Sequence, residues 1–393
     1  MIYLDNSATT RAFDEVTDLM SQIMKNNFGN PSSMHMAGVD AEREVKGAAA
    51  TFARIMKVEE KEIFFTSGGT ESDNLAIIGT ALAAKRDGEH IITTKTEHPA
   101  VLEAMKHLEE LGFSVTYLDV DRYGRVDKES LTDAVRDDTV LVSVMHVNNE
   151  IGSVNDIEKL ASAVKEKNPS TLFHTDAVQS FGKLPVFPKR MNIDLVSVSG
   201  HKIHGPKGVG VLYVRDNVRI RPIVFGGGQQ RGLRSGTENV PGIAGIGLAA
   251  KLICTKEDSE ADRLYELKEY FVSRLSRLCD VTVNAIPETG DESITGAVRM
   301  TAPHIVSASF SGVRAEVLLH ALEAKGIYVS SGSACSSNKP AKSATLQAIK
   351  LDEKLLDSTL RFSFSLFTTK EELDETLSVL SDELPKLRKF SRR

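Results

Sequence analysis

The chain has 393 residues, enough for two or three folding units at roughly 100–200 residues each. With 41% hydrophobic and 26% charged residues, 28 Gly and 12 Pro, it is not collagen-like, low-complexity or disordered. Its 48 basic and 54 acidic side chains leave a net charge of −6, so no global field holds a polyanion and direct nucleic-acid binding is not expected.

The N-terminus, Met1-Ile2-Tyr3-Leu4-Asp5, has no basic region and no long apolar core. The longest apolar stretches, such as Ile243 to Leu252, are far below the roughly 20 residues that cross a bilayer. A cytoplasmic protein with no membrane partner is the expectation. From about residue 60 to 215 short β-rich runs alternate with helical patterns. Strands are predicted at Ile63 to Thr66, His90 to Thr94, Ser114 to Leu118, Val140 to Met145, Leu172 to Thr175, Leu195 to Val198 and Val209 to Val214. Between them, Glu71 to Lys85 reads as a helix with Leu75, Ile78 and Leu82 on one face, and another helix opens at Pro99. Near-continuous apolar strands suit a sheet covered on both faces. Alternation of this kind implies an α/β fold whose sheet is mostly parallel, with its ligand site at the carboxyl ends of the strands.

The pattern changes near residue 255. Lys256 to Leu278 reads as one long charged helix, followed by strands near Val281 and Ile305, a helix over Arg314 to Lys325, a strand at Arg361 and a helix from Glu371. This order predicts a smaller α+β unit. The closing run from Lys386 to Arg393 is basic and fits a solvated terminus.

Three segments could carry chemistry. Thr66-Ser67-Gly68-Gly69-Thr70-Glu71-Ser72 joins a buried strand to a helix, where backbone N–H groups and the helix N-terminus favour a phosphate. Alone it is no more than a strand-to-helix turn. Asp176 ends the run Leu172-Phe173-His174-Thr175, and its plain role would be to cap the next helix. Lys202 follows an apolar strand inside Ser199-Gly200-His201-Lys202, before the turn Gly205-Pro206-Lys207-Gly208, so its amine is a candidate for Schiff-base chemistry. Together they have a joint meaning. A phosphate cradle, a carboxylate and a lysine 26 residues later are what pyridoxal 5'-phosphate requires.

The cysteines divide. Three is an odd number, and without CxxC spacing it disfavours a disulfide framework and a zinc ribbon, so no metal site is expected and a reducing compartment is favoured. Cys254 and Cys279 lie in helical patterns and read as small buried hydrophobes. Cys335 stands in Ser330-Ser331-Gly332-Ser333-Ala334-Cys335-Ser336-Ser337, a small-residue loop suited to a thiol that must reach a substrate.

With these residues in view the chain resembles a cysteine desulfurase of the NifS/IscS type, a fold-type I pyridoxal-phosphate enzyme of the class-V aminotransferase family. The resemblance runs from Tyr3-Leu4-Asp5-Asn6-Ser7-Ala8-Thr9-Thr10 to the C-terminal helix. It takes in Phe28-Gly29-Asn30-Pro31-Ser32-Ser33, the Thr66 to Asn74 turn, Glu97-His98-Pro99-Ala100-Val101 and Val147-Asn148-Asn149-Glu150-Ile151-Gly152. It continues through Asp176 and Gln179, Ser199 to Lys202, Arg234-Ser235-Gly236-Thr237-Glu238-Asn239, the Cys335 loop and Leu360-Arg361-Phe362-Ser363.

The resemblance implies a large cofactor-binding domain over 15–255, with a mostly parallel seven-stranded sheet. A smaller α+β domain over 1–14 and 256–393 would carry the cysteine loop. It also implies roles. Lys202 would hold pyridoxal phosphate and move the substrate Cα proton. Asp176 would pair with the ring nitrogen, Gln179 would reach the ring hydroxyl oxygen, and His98 would stack on the ring and serve in proton transfer. Gly69, Thr70, Ser199 and His201 would bind the phosphate, with Thr237 reaching the phosphate of a neighbouring subunit in a homodimer. Asn149 and Arg361 would hold the substrate carboxylate. Cys335 would take sulfur from L-cysteine as a persulfide, releasing alanine.

Plainer roles stay open beside these: His98 as a helix cap, Arg361 as a salt-bridge partner, Thr237 as a turn residue. So do other activities: a selenocysteine lyase or cysteine sulfinate desulfinase, an aminotransferase, or a non-catalytic sulfur-trafficking scaffold. The 26 residues from Cys335 to Arg361 resemble the long-loop branch, which favours thiol attack on cysteine. The sulfur acceptor would be an iron–sulfur scaffold or a tRNA-thiolation enzyme. The tail, ending Phe390-Ser391-Arg392-Arg393, does not match the docking tails of desulfurases that serve iron–sulfur scaffolds. Lys339 and Lys342 together with this basic tail point instead to an acceptor that works on tRNA.

Overall fold

Runs of Val, Ile, Thr and Phe make the strands, because branched and aromatic side chains pack well on a pleated surface. The computed structural model describes residues 1–255, 257–287, 294–331 and 342–391. In chain order the strands are β1 (Ile2–Tyr3), β2 (Ile63–Thr66), β3 (His90–Thr94), β4 (Ser114–Leu118), β5 (Thr139–Ser143), β6 (Leu172–Asp176) and β7 (Leu195–Ser199). There follow β8 (Gly210–Val214), β9 (Val281–Val283), β10 (Ile305–Phe310), β11 (Ile327–Tyr328), β12 (Ser330–Ser331) and β13 (Thr359–Ser363).

Seven of them form the central sheet, in the order β2-β8-β7-β6-β5-β3-β4. Its four pairings from β7 to β4 are parallel, and β8 alone runs against its two neighbours. The mostly parallel sheet and all seven strands agree with expectation. The reversal at β8 comes from its connection: residues 200–209 are too few for the helical crossover that a parallel neighbour needs. Six strands therefore point the same way, and Thr66, Thr94, Ser143, Asp176 and Ser199 all end on one side.

Helices cover both faces. Phe52, Phe173, Phe181, Val196 and Ile246 belong to the apolar layer on one face. Leu75, Ile77, Met105, Leu141 and Leu212 belong to the layer on the other. A second, antiparallel sheet, β12-β13-β10-β9, packs against the helices Glu257–Leu275 and Lys370–Ser391. Ile2 and Leu4 join that second core, and β1 pairs with β11, so the first residues of the chain are built into its last third.

The C-terminal part is richer than the pattern predicts. A short helix, Ile294–Arg299, lies between β9 and β10, and two more, Ala344–Ala348 and Glu353–Leu356, precede β13. The long helix stops at Leu275 rather than Leu278, and Asp280 adopts φ 55° in the turn after it. This corrects the expectation for Cys279, which stands in that turn and is exposed. Cys254, at the end of the helix Val240–Cys254, is half-buried at the margin of the first core. Among the described residues no helix is long and apolar enough to cross a membrane.

Candidate active site

A cavity of about 280 Å³ opens where the aligned strands end. Gly69, Thr70, His98, Asn149, Asp176, Gln179, Ser199, His201, Lys202 and Arg361 all line it, though they are far apart in the chain. Thr237 does not; it is exposed. Cys335 and Lys339 lie outside the described residues, as do Arg392 and Arg393, while Lys342 is exposed.

Lys202 closes the short turn Gly200–Lys202 after β7. Its Nζ donates to the carbonyls of Ser7 (2.5 Å) and Ala8 (2.8 Å). The N-terminal segment is tied to the site by hydrogen bonds: Thr10 N donates to His201 O at 2.8 Å, and His204 N donates to the Thr10 side-chain Oγ1 at 2.8 Å. Gln179 Nε2 also donates to Ser7 O, at 3.0 Å, while its Oε1 lies 3.3 Å from His304 Nε2. Both ends of the Gln179 amide are thus engaged by the protein.

The helix Gly69–Ala84 starts at the cavity with no side-chain cap, and the first-turn N–H groups of a helix have no partner within it. They and the helix dipole make an anion site, completed by Ser199 and His201 on the cavity wall. A Cβ on Gly69 would come 2.7 Å from Val178 Cγ2, so glycine lets the helix start lie against the turn after β6. Burial first of all, then the Lys202, Lys207 and Lys183 charges, push His201 down to about 4, so it meets a ligand as a neutral imidazole.

Asp176 is 5% exposed, and its Oδ1 accepts from Val178 N at 2.8 Å. Burial raises its pKa, and the nearby His98 and Lys202 charges and the Val178 hydrogen bond oppose that. His98 Nδ1 accepts from Ala100 N at 3.1 Å and so caps the helix Pro99–Glu110 while its ring lines the cavity. The cap and the site residue are one side chain. Burial holds His98 below its ordinary value; Asp176 acts against this and Lys202 with it.

Arg361 is 4% exposed on β13. It donates to Asn149 O (2.9 Å) and Asp5 Oδ1 (2.8 Å), and its buried Nε has no partner among the described residues. It is therefore a salt-bridge partner that also presents a spare N–H.

Two buried acids were not singled out from sequence. Asp73, one helical turn beyond Gly69, lines the cavity, with Oδ1 3.6 Å from His174 Nε2. Burial, then the Asp176 charge, raise it well above the carboxylate range. Glu97 Oε1 accepts from Thr94 Oγ1 (2.8 Å) and Met145 N (2.9 Å), and burial pushes this carboxyl up to about 8. Both have polar neighbours in the chain, Ser72 and Asn74 beside Asp73 and Thr96 and His98 beside Glu97, so the sequence carried no sign of their burial.

Glu97 carries a pH prediction. Its folded pKa exceeds its ordinary 4.5, so the fold keeps a proton that the unfolded chain releases. Stability from this site is complete below about pH 4.5 and declines toward pH 8, by up to about 1.4 kcal/mol per pH unit. Glu97→Gln removes that decline at a fixed cost for a buried amide N–H. Urea midpoints near pH 5, 6.5 and 8 measure it. The variant is expected to gain on the parent as pH rises, and a constant difference would mean that Glu97 is ionised.

Comparison with known proteins places this geometry. The profile of the family "Aminotransferase class-V" matches residues 2–376. The chain belongs to the class-V aminotransferase family. The similarity covers nearly all of both chains, in sequence and in fold. It is 44% identical to "Cysteine desulfurase IscS" of Dictyoglomus turgidum, over 99% of this chain and 96% of that one. A solved structure called "NIFS-LIKE PROTEIN" superposes with a TM-score of 0.90 at 38% identity, covering 98% of this chain and all of the other. Another, "SspA in complex with cysteine", gives 0.80 at 32% identity over 94% and 100%. Enzymes of this class-V family depend on pyridoxal phosphate.

Proposed function

We propose that the chain is a pyridoxal-phosphate-dependent cysteine desulfurase that converts L-cysteine to L-alanine and holds the sulfur as a persulfide on Cys335. The observation that carries the reading is the convergence of Lys202, Asp176, His98 and an open helix N-terminus on one cavity. This donor set fits pyridoxal phosphate. It offers an amine, an acid for a ring nitrogen, an imidazole beside it, and N–H donors with Ser199 and His201 for a phosphate. Full-length similarity to cysteine desulfurases, and to a protein solved with cysteine, supports the substrate.

When bound, the cofactor supplies an electron sink for the substrate's Cα electrons. The chain supplies the rest. Lys202 Nζ, hung between two backbone carbonyls at the cavity wall, takes the proton from Cα and returns it. Asp176, fixed by Val178 N–H, sets a negative charge in the cavity that would hold the ring nitrogen protonated. The spare Nε–H of Arg361 and the Asn149 side chain receive the substrate carboxylate, and two-pronged contact is open to guanidinium but not to ammonium. The Cys335 thiolate attacks the substrate sulfur, an S–S bond forms, the Cβ–S bond breaks, and Cβ takes a proton. The products are alanine and a persulfide on the enzyme.

A homodimer belongs to the same reading. Thr237 is exposed and lines no part of its own chain's cavity; it lies two residues after Ser235, which pairs with Val224 beside the 81%-exposed Phe225. The persulfide passes to an iron–sulfur scaffold or a tRNA-thiolation enzyme, and labelled-sulfur transfer in a mixture of both would tell them apart.

Cys335→Ala tests the proposal directly. The variant is expected to keep its pyridoxal absorbance and to lose sulfide and alanine formation by at least about 10³-fold. Full conversion of cysteine to alanine by the variant would overturn the assignment.

A further inference from the structure

Lys183 is a half-buried lysine that neither the sequence motifs nor the mechanism uses. It sits seven residues beyond Asp176, in a turn where Phe181 N bonds to Ala177 O and Lys183 N to Ser180 O. The end of β6 and the turn after it therefore carry Asp176, Gln179 and Lys183. Gly182 (φ +73°) brings it against the helix Val240–Cys254, where an added Cβ would come 2.9 Å from Ile253 Cγ2. From there Lys183 Nζ donates to the backbone carbonyl of Lys202 at 3.0 Å.

Lys202 is thus held at both ends, its amine by Ser7 and Ala8 and its backbone by Lys183. No carboxylate lies within ion-pairing distance of Lys183 among the described residues. Burial, then the Lys202 charge, push Lys183 down to about 7, with Cys254 acting against them. The charge reaches its surroundings, since Lys183 helps hold His201, His204 and His304 in their neutral forms.

We propose that Lys183 is a positioning residue for Lys202: its hydrogen bond fixes the Gly200–Lys202 turn that aims the reactive amine, and its own amine, in the protonated form, adds a second positive charge nearby. The inference rests on Lys202 being the cofactor-binding lysine. A cation at this position opposes protonation of the Lys202 nitrogen, whether as an amine or linked to pyridoxal phosphate. The other groups around Lys202 are His98 on the loop before Pro99, Asp176 on β6, His201 on its own turn, and His304 before β10. Asp176 favours the protonated nitrogen and Lys183 opposes it, so the two set its proton affinity from opposite sides.

The test is a pH titration of the pyridoxal absorbance in reconstituted holoenzyme, comparing the parent, Lys183→Met and Lys183→Arg. Lys183→Met is expected to raise the midpoint by about half to one pH unit. Lys183→Arg, charged at every pH, is expected to leave it unchanged or lower it. For a variant that fails to retain cofactor, the pH dependence of reductive methylation of Lys202, read by peptide mass, gives the same ordering without it. Equal midpoints in all three proteins would overturn the inference. A parent with no pyridoxal band would instead overturn the proposed function, so the two failures are distinct.

Discussion

Lys202→Ala is expected to abolish turnover, by about 10⁴-fold or more, while leaving thermal unfolding within a few degrees of the parent. Both halves come from where the side chain sits. Its amine lines the cavity beside Asp176 and His98, so it is the group placed to carry a proton at the substrate. Its partners include two backbone carbonyls, Ser7 O and Ala8 O, and Gln179 Nε2 still donates to the first of them after the substitution. The lost bonds cost about 1 kcal/mol each at most, because the carbonyls face a cavity that water can fill. That is a shift of a few degrees in Tm for a chain of this size. Steady-state alanine formation and a melting curve on the same preparation measure the two effects. Retention of more than about 1% of parental turnover would move the proton-transfer role to another group, with His98 the first candidate.

The contrast between Lys202 and its supports explains what could be read from sequence. Strands β2 to β8 were legible because each is a short apolar run between polar turns, and Asp176, Ser199 and Lys202 were legible because each stands at or just beyond a strand's end. The direction of β8 was not, since composition carries no sign of direction; only the short link 200–209 did. Ser7 and Ala8 act through carbonyl oxygens, which every residue has, so no side chain announces their contact with Lys202. Charged and apolar residues continue to alternate after Leu275, so the pattern runs a helix over Cys279 where the backbone in fact turns. Asp73 and Glu97 look like surface acids until the fold shuts them in beside Asp176. Lys183 hid for a related reason: a lysine in a turn is ordinarily a solvated charge, and only the packing of Gly182 on Ile253 directs it inward.

The buried acids give the second large effect an unusual form, a variant that loses activity without losing stability. Asp176→Asn is expected to lower kcat by about 10³-fold or more and to keep or slightly raise Tm. Asparagine is nearly isosteric, and its carbonyl oxygen still accepts from Val178 N–H, so the turn after β6 keeps its shape. What disappears is the negative charge in the cavity, the group that would hold the ring nitrogen of the cofactor protonated. That charge is expensive to the fold. Burial raises the pKa of Asp176 itself, and the Asp176 charge in turn raises those of Asp73 and Glu97. Removing it spares the cost of burying a charge while withdrawing an attraction for His98 and Lys202, and these terms oppose one another. Melting curves and kcat measured together between about pH 6 and 8 test the pair of expectations. Turnover within about tenfold of the parent would mean that Asp176 serves the fold rather than the cofactor. A drop in Tm beyond a few degrees would mean that its attraction for His98 and Lys202 outweighs the cost of burying its charge.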